Sequence, residues 1–306
     1  MVSWPTVRVL VIFPGALGDL ICLGPTLRAI KALHQVGDLD LMARAELARF
    51  ALGRLGVTSG HSIDRREVTS LFRAGSQMQG ATREFFGQFD RIYSFFAADD
   101  PNFRRALFEA TSGEVSFHPF RPPGRGHISC RYLESVGCGA AASESRLDLS
   151  ATDLEQAECL LTQVGARPGR FVFIFPGSGS PSKNWPAERF AQLAMEIPEP
   201  VKPLVVLGPA ESGMDSVFRS RGLATLADIG LDKVAALASV AAAFVGNDSG
   251  VSHLAAATGA RGVALFGPTD PDVWAPIGDV SVIRRIPLEA LSVDEALNIL
   301  RAKLVS

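Results

Sequence analysis

The 306-residue chain has no run of about 18 uninterrupted apolar residues, so no segment reads as a membrane span. Its start, MVSWPTVRVLVIF, lacks basic residues before the apolar run, and Pro14 ends that run early, so it does not read as a signal peptide either. Lysine is nearly missing from the first 150 residues, where only Lys31 occurs. Positive charge in that half comes from arginines such as Arg65, Arg66, Arg104, Arg105, Arg121 and Arg125. Scattered solvated arginines are the ordinary reading, and a patch facing an anionic acceptor is the alternative. A net charge of −2 gives no case for a nucleic-acid partner. The four cysteines (Cys22, Cys130, Cys138, Cys159) show no Cys-x-x-Cys spacing, which points to reduced thiols in a cytoplasmic protein. The chain also lacks a Gly-x-Gly-x-x-Gly fingerprint, a Walker lysine frame, a Gly-x-Ser-x-Gly elbow and any His/Cys/Asp cluster with metal-ligand spacing. What remains is an ordinary globular composition, 47% hydrophobic and 20% charged, long enough for two domains.

Two halves of the chain begin alike. VRVLVIF is a continuous β-branched run of the kind buried on both faces of a parallel sheet. It breaks at PGALGD, after which Leu20, Leu23, Leu27 and Ile30 recur at helical spacing. Near residue 170 the pattern restarts with FVFIF, a PGSGSPSKNWP turn and another helix. DLDLMA, RIYSFF, PLVVLG, AAFVG and GVALFG supply further strands between helical segments. Residues 150–169 read as helical, with a hinge at Arg167-Pro168-Gly169. The expected fold class is α/β: two Rossmann-like domains, residues 1–160 and 161–306, facing each other across a cleft.

In parallel α/β sheets, ligands bind beyond the carboxyl ends of the strands, and four turns qualify. In PGALGD, Asp19 is either a helix-start carboxylate or a general base. In PGSGSPSKNWP, Ser178, Gly179 and Lys183 make either a plain surface loop or a metal-free cradle for a diphosphate. In LGPAESG, Glu211 is either a helix-start acid or a ribose ligand. In GNDSGVSHL, Asp248 or Ser249 caps a helix, or the first-turn N–H groups hold phosphate. Asp248 would repel a phosphate directly, so its functional reading is contact with sugar hydroxyls. His253 shares a helix face with Ser249.

Taken together, GALGDLICLGPTLRAIKAL, PGSGSPSKNWPAERFAQLA, LGPAE and FVGNDSGVSHLAAATGARGVALFGPTDPDVWAP resemble glycosyltransferase family 9, the ADP-heptose:lipopolysaccharide heptosyltransferases. The blocks run from residue 7 to about 276 in the family's order and are thin between 55 and 165. The resemblance implies a GT-B fold, inverting transfer of heptose or a related sugar from an ADP-sugar, and no required metal or other cofactor. It implies Asp19 as base and Lys183 on the donor phosphates. Ser178 and Gly179 fall in the phosphate-side turn and Glu211 on the ribose, while Asp248, Ser249, Gly250, Val251 and His253 form the donor-binding turn. The implied partners are a nucleotide sugar and a lipopolysaccharide core or other glycan, with peripheral contact at the cytoplasmic face of the inner membrane left open. A nucleotide-sugar-binding protein without transfer activity and a metal-free UDP-sugar epimerase are the alternatives. If Asp19 is structural, Asp99 and Asp100 are the next acids to consider.

Overall fold

The computed structural model describes residues 7–35, 37–73, 80–139 and 145–305. The chain divides into two compact units, Met1–Ser143 and Glu144–Ser306. The first is built on five parallel strands: β1 (Arg8–Ile12), β2 (Asp38–Ala43), β3 (Ser59–Ser62), β4 (Arg91–Ser94) and β5 (Glu114–Phe117), in the order β3-β2-β1-β4-β5. The second has six: β6 (Phe171–Phe175), β7 (Lys202–Leu207), β8 (Ala224–Ala227), β9 (Ala243–Asn247), β10 (Gly262–Phe266) and β11 (Val280–Arg284). Their order is β11-β10-β9-β6-β7-β8, again all parallel.

Counted from its own first strand, each sheet runs 3-2-1-4-5, and the second adds a sixth strand. This doubly wound order reverses direction between β1 and β4 in one sheet and between β6 and β9 in the other. Chains leaving such neighbouring strands diverge to opposite faces and open a crevice at the carboxyl ends. The turn carrying Asp19 leaves β1, and the turns carrying Lys183 and Asp248 leave β6 and β9.

The sequence pattern explains the core. Val9, Leu10, Val11 and Ile12 are fully buried, as are all five residues of β10, because helices cover both faces of a parallel sheet. The helical stripe Leu20, Leu23, Leu27 and Ile30 is buried at every position in the helix Leu17–Leu33. Three strands lack a continuous apolar run: β3 (SGHS), β8 (ATLA) and β11 (VSVIR). All three are edge strands, half exposed and short. The helix expected over 150–169 is Ala151–Gln163 and ends where Gly165 takes a left-handed φ of +63°. It packs on the helix Leu231–Ser239, so it belongs to the second unit, and the expected division at 160/161 falls inside it. No disulfide joins the four cysteines. Among the described residues, no helix is long and apolar enough to cross a membrane.

The first unit carries a titratable pair inside its packing. The Tyr93 ring stacks on His118 (5.7 Å, 18°), and its hydroxyl lies 2.6 Å from His34 Nε2. Burial holds the His118 imidazole below its ordinary pKa, and a hydrogen bond with the Ser135 backbone opposes this only in part. Burial, then the charge of Arg91, lowers His34 as well. Below about pH 6.5 the unfolded chain therefore binds more protons than the folded one. Stability should be full above that pH and fall as pH drops through it toward the lower folded values. Thermal unfolding from pH 7.5 to 5.5 should show this fall, and it should be smaller in His118→Asn. An equal fall in the variant would remove His118 from the account.

Candidate functional site

The crevice of the second sheet lies where the chain leaves β6 and β9. After Phe175 the loop turns tightly: the Ser178 hydroxyl donates to Ser180 O (2.7 Å) and accepts from Ser180 N (3.2 Å). A single 3-10 turn, Pro181–Lys183, then brings Lys183 around, and its Nζ donates to Asp248 Oδ2 at 2.8 Å. The Asp248 side chain is 6% exposed and that of Lys183 32%. The buried carboxylate thus has its counter-charge, and the ammonium keeps access to solvent.

A buried amide holds the two loops together. Asn247 Oδ1 accepts from Trp185 N (3.0 Å), and its Nδ2 donates to Pro176 O (2.7 Å). Trp185 is itself fully buried and donates from Nε1 to Leu291 O at 3.1 Å. The side chain on one strand end therefore fixes both ends of the lysine-bearing loop. Sequence reasoning gave Asn247 no role, although an asparagine ending a buried strand was the available signal.

Ser249 caps the helix Gly250–Ala257: its side chain accepts from Ser252 N, and Ser252 Oγ donates to Asn247 O at 2.7 Å. The capping reading is therefore met by Ser249, which frees Asp248 for the contact with Lys183. The first amides of a helix, here at Gly250 and Val251, have no intrahelical acceptor and point outward. His253 is buried one turn on. Glu211 also serves a helix start, with Oε2 accepting from Gly208 N at 3.0 Å. Its other oxygen lies against the turn that follows β6, since a Cβ added to Gly177 would fall 2.3 Å from Glu211 Oε1. Gly179 is exposed, with open space around it. Thus Ser178, Gly179, Lys183, Glu211 and residues 248–253 all stand at carboxyl ends of the second sheet.

Asp19 belongs to the first unit, at the exit of β1. Its Oδ2 accepts from Ala16 N (3.1 Å), so it does cap the helix, while Oδ1 lies 3.9 Å from Arg121 Nη2. The residue is only 9% exposed. Arg121, read from sequence as one of many scattered arginines, is thereby singled out as the charge beside this carboxylate. Among the described residues, no group of three or more His, Cys, Asp or Glu is arranged to hold a metal ion.

Comparison with known proteins bears on this geometry. The family model for glycosyltransferase family 9 (heptosyltransferase) matches residues 132–299. Lipopolysaccharide heptosyltransferase 2 of Escherichia coli (strain K12) is 32% identical over 91% of this chain and 88% of its own length. Among solved structures, the glycosyl transferase family 9 protein from Veillonella parvula aligns with a TM-score of 0.82 at 18% identity, covering 98% of this chain and 97% of its own. The E. coli ADP-heptose lps heptosyltransferase II aligns at 0.77 with 22% identity, covering 98% and 99%. The expected α/β architecture of two parallel-sheet domains is the fold these structures share.

Removing the buried amide gives a direct test of the loop clip. Asn247→Ala leaves the Trp185 N–H and the Pro176 carbonyl without their partner. Each orphaned buried group costs about 1–3 kcal/mol, so urea unfolding should show a loss of about 2 kcal/mol or more. A loss below about 0.5 kcal/mol would mean that other contacts hold the loop.

Proposed function

This chain belongs to glycosyltransferase family 9 (heptosyltransferase), and from that premise we propose that it transfers heptose from ADP-heptose to a lipopolysaccharide core acceptor. The observation that carries the reading is the Lys183–Asp248 contact at the switch point of the second sheet. Around it stand the parts an ADP-sugar needs. Lys183, the turn at Ser178 and Gly179, and the helix-start amides at Gly250 and Val251 take the diphosphate. Glu211 takes the ribose diol, and Asp248 takes sugar hydroxyls. Ser249, which caps the helix, and His253 complete the donor-binding turn.

The reaction inverts the anomeric centre. Asp19 accepts the proton of the acceptor hydroxyl as its oxygen attacks the anomeric carbon, and the bond from that carbon to the diphosphate breaks. ADP leaves with the electron pair, its charge met by Lys183 and the helix start. In this reading those groups supply the positive charge, so transfer proceeds without a divalent ion. The protein works in the cytoplasm, with peripheral contact at the inner membrane face where a lipid-borne core is presented. Binding without transfer and UDP-sugar epimerisation are not favoured, since a relative aligned over 91% of this chain is a named heptosyltransferase.

The test is ADP release from ADP-heptose with lipopolysaccharide core acceptors, in the presence of EDTA. Release that depends on an acceptor supports the proposal. Interconversion of UDP-sugars without an acceptor would replace it with the epimerase, and activity lost to EDTA and restored by magnesium would overturn the metal-free step.

Lys183→Ala should weaken donor binding about tenfold or more, the usual effect of losing a charge-assisted hydrogen bond of about 1.5–3 kcal/mol. Calorimetry on folded variant with an unchanged donor Kd would take Lys183 out of the site. Asp19→Asn should lower turnover by about 10²–10⁴-fold with donor affinity near wild type. Asparagine can still accept from Ala16 N, so the helix start survives and only the base is lost. A turnover loss of less than about threefold at saturating donor would make Asp19 a structural cap, and the base would be sought at Asp99 or Asp100.

A further inference from the structure

In the first unit the helix Leu17–Leu33 packs on the helix Ile128–Ser135. Asp19, Cys22 and Thr26 share one face of the first helix, and Ser129 and Tyr132 share one face of the second. All five are buried, none more than 9% exposed. Three of them carry hydroxyl oxygens that meet no protein hydrogen-bond partner: Thr26 Oγ1, Ser129 Oγ and Tyr132 Oη. A buried hydroxyl without a partner is costly, and native structures rarely keep several on one pair of helices. Such a group is ordinarily satisfied by an ordered water, which makes about three hydrogen bonds in a buried site.

The packing ties this polar seam to Asp19. The Tyr132 ring stands edge-on to Phe13 (5.7 Å) and Phe95 (5.7 Å). Phe13 in turn reaches the helix start: a Cβ on Gly15 would lie 2.3 Å from the Phe13 ring and 2.7 Å from Asp19 Cβ. Phe13 is thus the shared wall between the tyrosine and the carboxylate. Burial, reinforced by the charges of Asp19 and Cys22, pushes the phenol's pKa far up, against a smaller opposite effect of Arg121. Tyr132 therefore remains an O–H donor at every working pH.

We propose that Tyr132 is a positioning residue whose hydroxyl donates, through an ordered water in this seam, to the Asp19 carboxylate. The water accepts from Tyr132 Oη and donates to Asp19, with a second donor left for the Ser129 or Thr26 hydroxyl. Asp19 is then held from three sides, by Ala16 N–H, by Arg121 and by the seam. The carboxylate keeps one orientation. This inference rests on the reading of Asp19 as the base.

Tyr132→Phe keeps the ring and removes only the hydroxyl. Turnover at saturating donor should fall about threefold to tenfold, as for loss of an ordinary hydrogen bond that anchors the water, with donor Kd unchanged. The acid limb of the turnover profile should move up, because the water then donates less firmly to a carboxylate that must be deprotonated to act. The other groups facing Asp19 and Tyr132 (Cys22 on the first helix, Arg121 from the preceding loop) are untouched by the substitution. In an Asp19→Asn background, Tyr132→Phe should cause no further loss. A hydroxyl idle in the core predicts the opposite result: equal or higher thermal stability with unchanged turnover and pH profile. That result would overturn the proposal, as would a turnover loss without a shift of the acid limb or one that persists beside Asp19→Asn. Ser129→Ala, expected to give a smaller shift of the same limb, supplies a second reading if the phenylalanine variant folds poorly, and no shift there would then count against the seam. If Asp19→Asn alone keeps its turnover, the base reading fails instead, whatever Tyr132 does.

Discussion

A lysine–carboxylate contact spanning the switch point of the second sheet is the constraint on which the rest of that unit's site depends. A side chain as flexible as lysine loses considerable freedom when held at one oxygen, and a carboxylate as buried as Asp248 loses most of its hydration. Neither cost is met by the pair alone. Asn247 fixes the loop that carries Lys183 at both ends, and Trp185 anchors that loop to the Leu291 carbonyl. Ser249 and Ser252 fix the turn that carries Asp248 by closing the helix start on the end of β9. The ion pair is therefore the meeting point of two loops that are each rigid for other reasons. A site that must bind a charged ligand without rearranging its backbone is built in this way.

The two units put the same topology to different uses. In each, a carboxylate stands just past a central strand at the opening of a helix. Asp19 is spent partly on its own helix, accepting from Ala16 N, while Asp248 leaves capping to its neighbour Ser249. Both turns look alike as sequence, glycine-bearing with an acid near the helix start. The difference lies in which side chain satisfies the first-turn amides. A carboxylate that caps with one oxygen still presents the other, so capping and chemistry are not exclusive at Asp19. This is why loss of charge with retention of the cap is the informative change at that position.

Much of this was legible in the sequence where a residue's environment is set locally. Central strands buried on both faces must be continuously apolar, so β1, β6, β9 and β10 announced themselves, and the stripe from Leu20 to Ile30 named its buried face. Edge strands have one neighbour and a solvated side, so β3, β8 and β11 carry no such run. The domain division was misplaced because the helix Ala151–Gln163 reads the same whichever unit it packs on. Its contact with the helix Leu231–Ser239 decides, and that is a long-range fact. The site divides in the same way. Turns rich in glycine, serine and acid marked the carboxyl ends of the strands, and every marked residue of the second unit follows one. The pairings were not legible: Lys183 and Asp248 are 65 residues apart, and nothing near Asp19 in sequence points to Arg121 or Tyr132.

The contact that organises the second site also bears on what the site would select, on the proposed reading. Lys183 cannot serve a diphosphate fully while its ammonium remains committed to Asp248, because both compete for the same three donors. As the lysine turns toward phosphate, Asp248 is left buried with less counter-charge, which is costly unless new donors arrive. The hydroxyls of a donor sugar are such donors, and a nucleoside diphosphate lacking the sugar has none to offer there. On that reading, an exchange of partners at Asp248 would favour the nucleotide sugar over the bare nucleotide, beyond whatever contacts each makes directly.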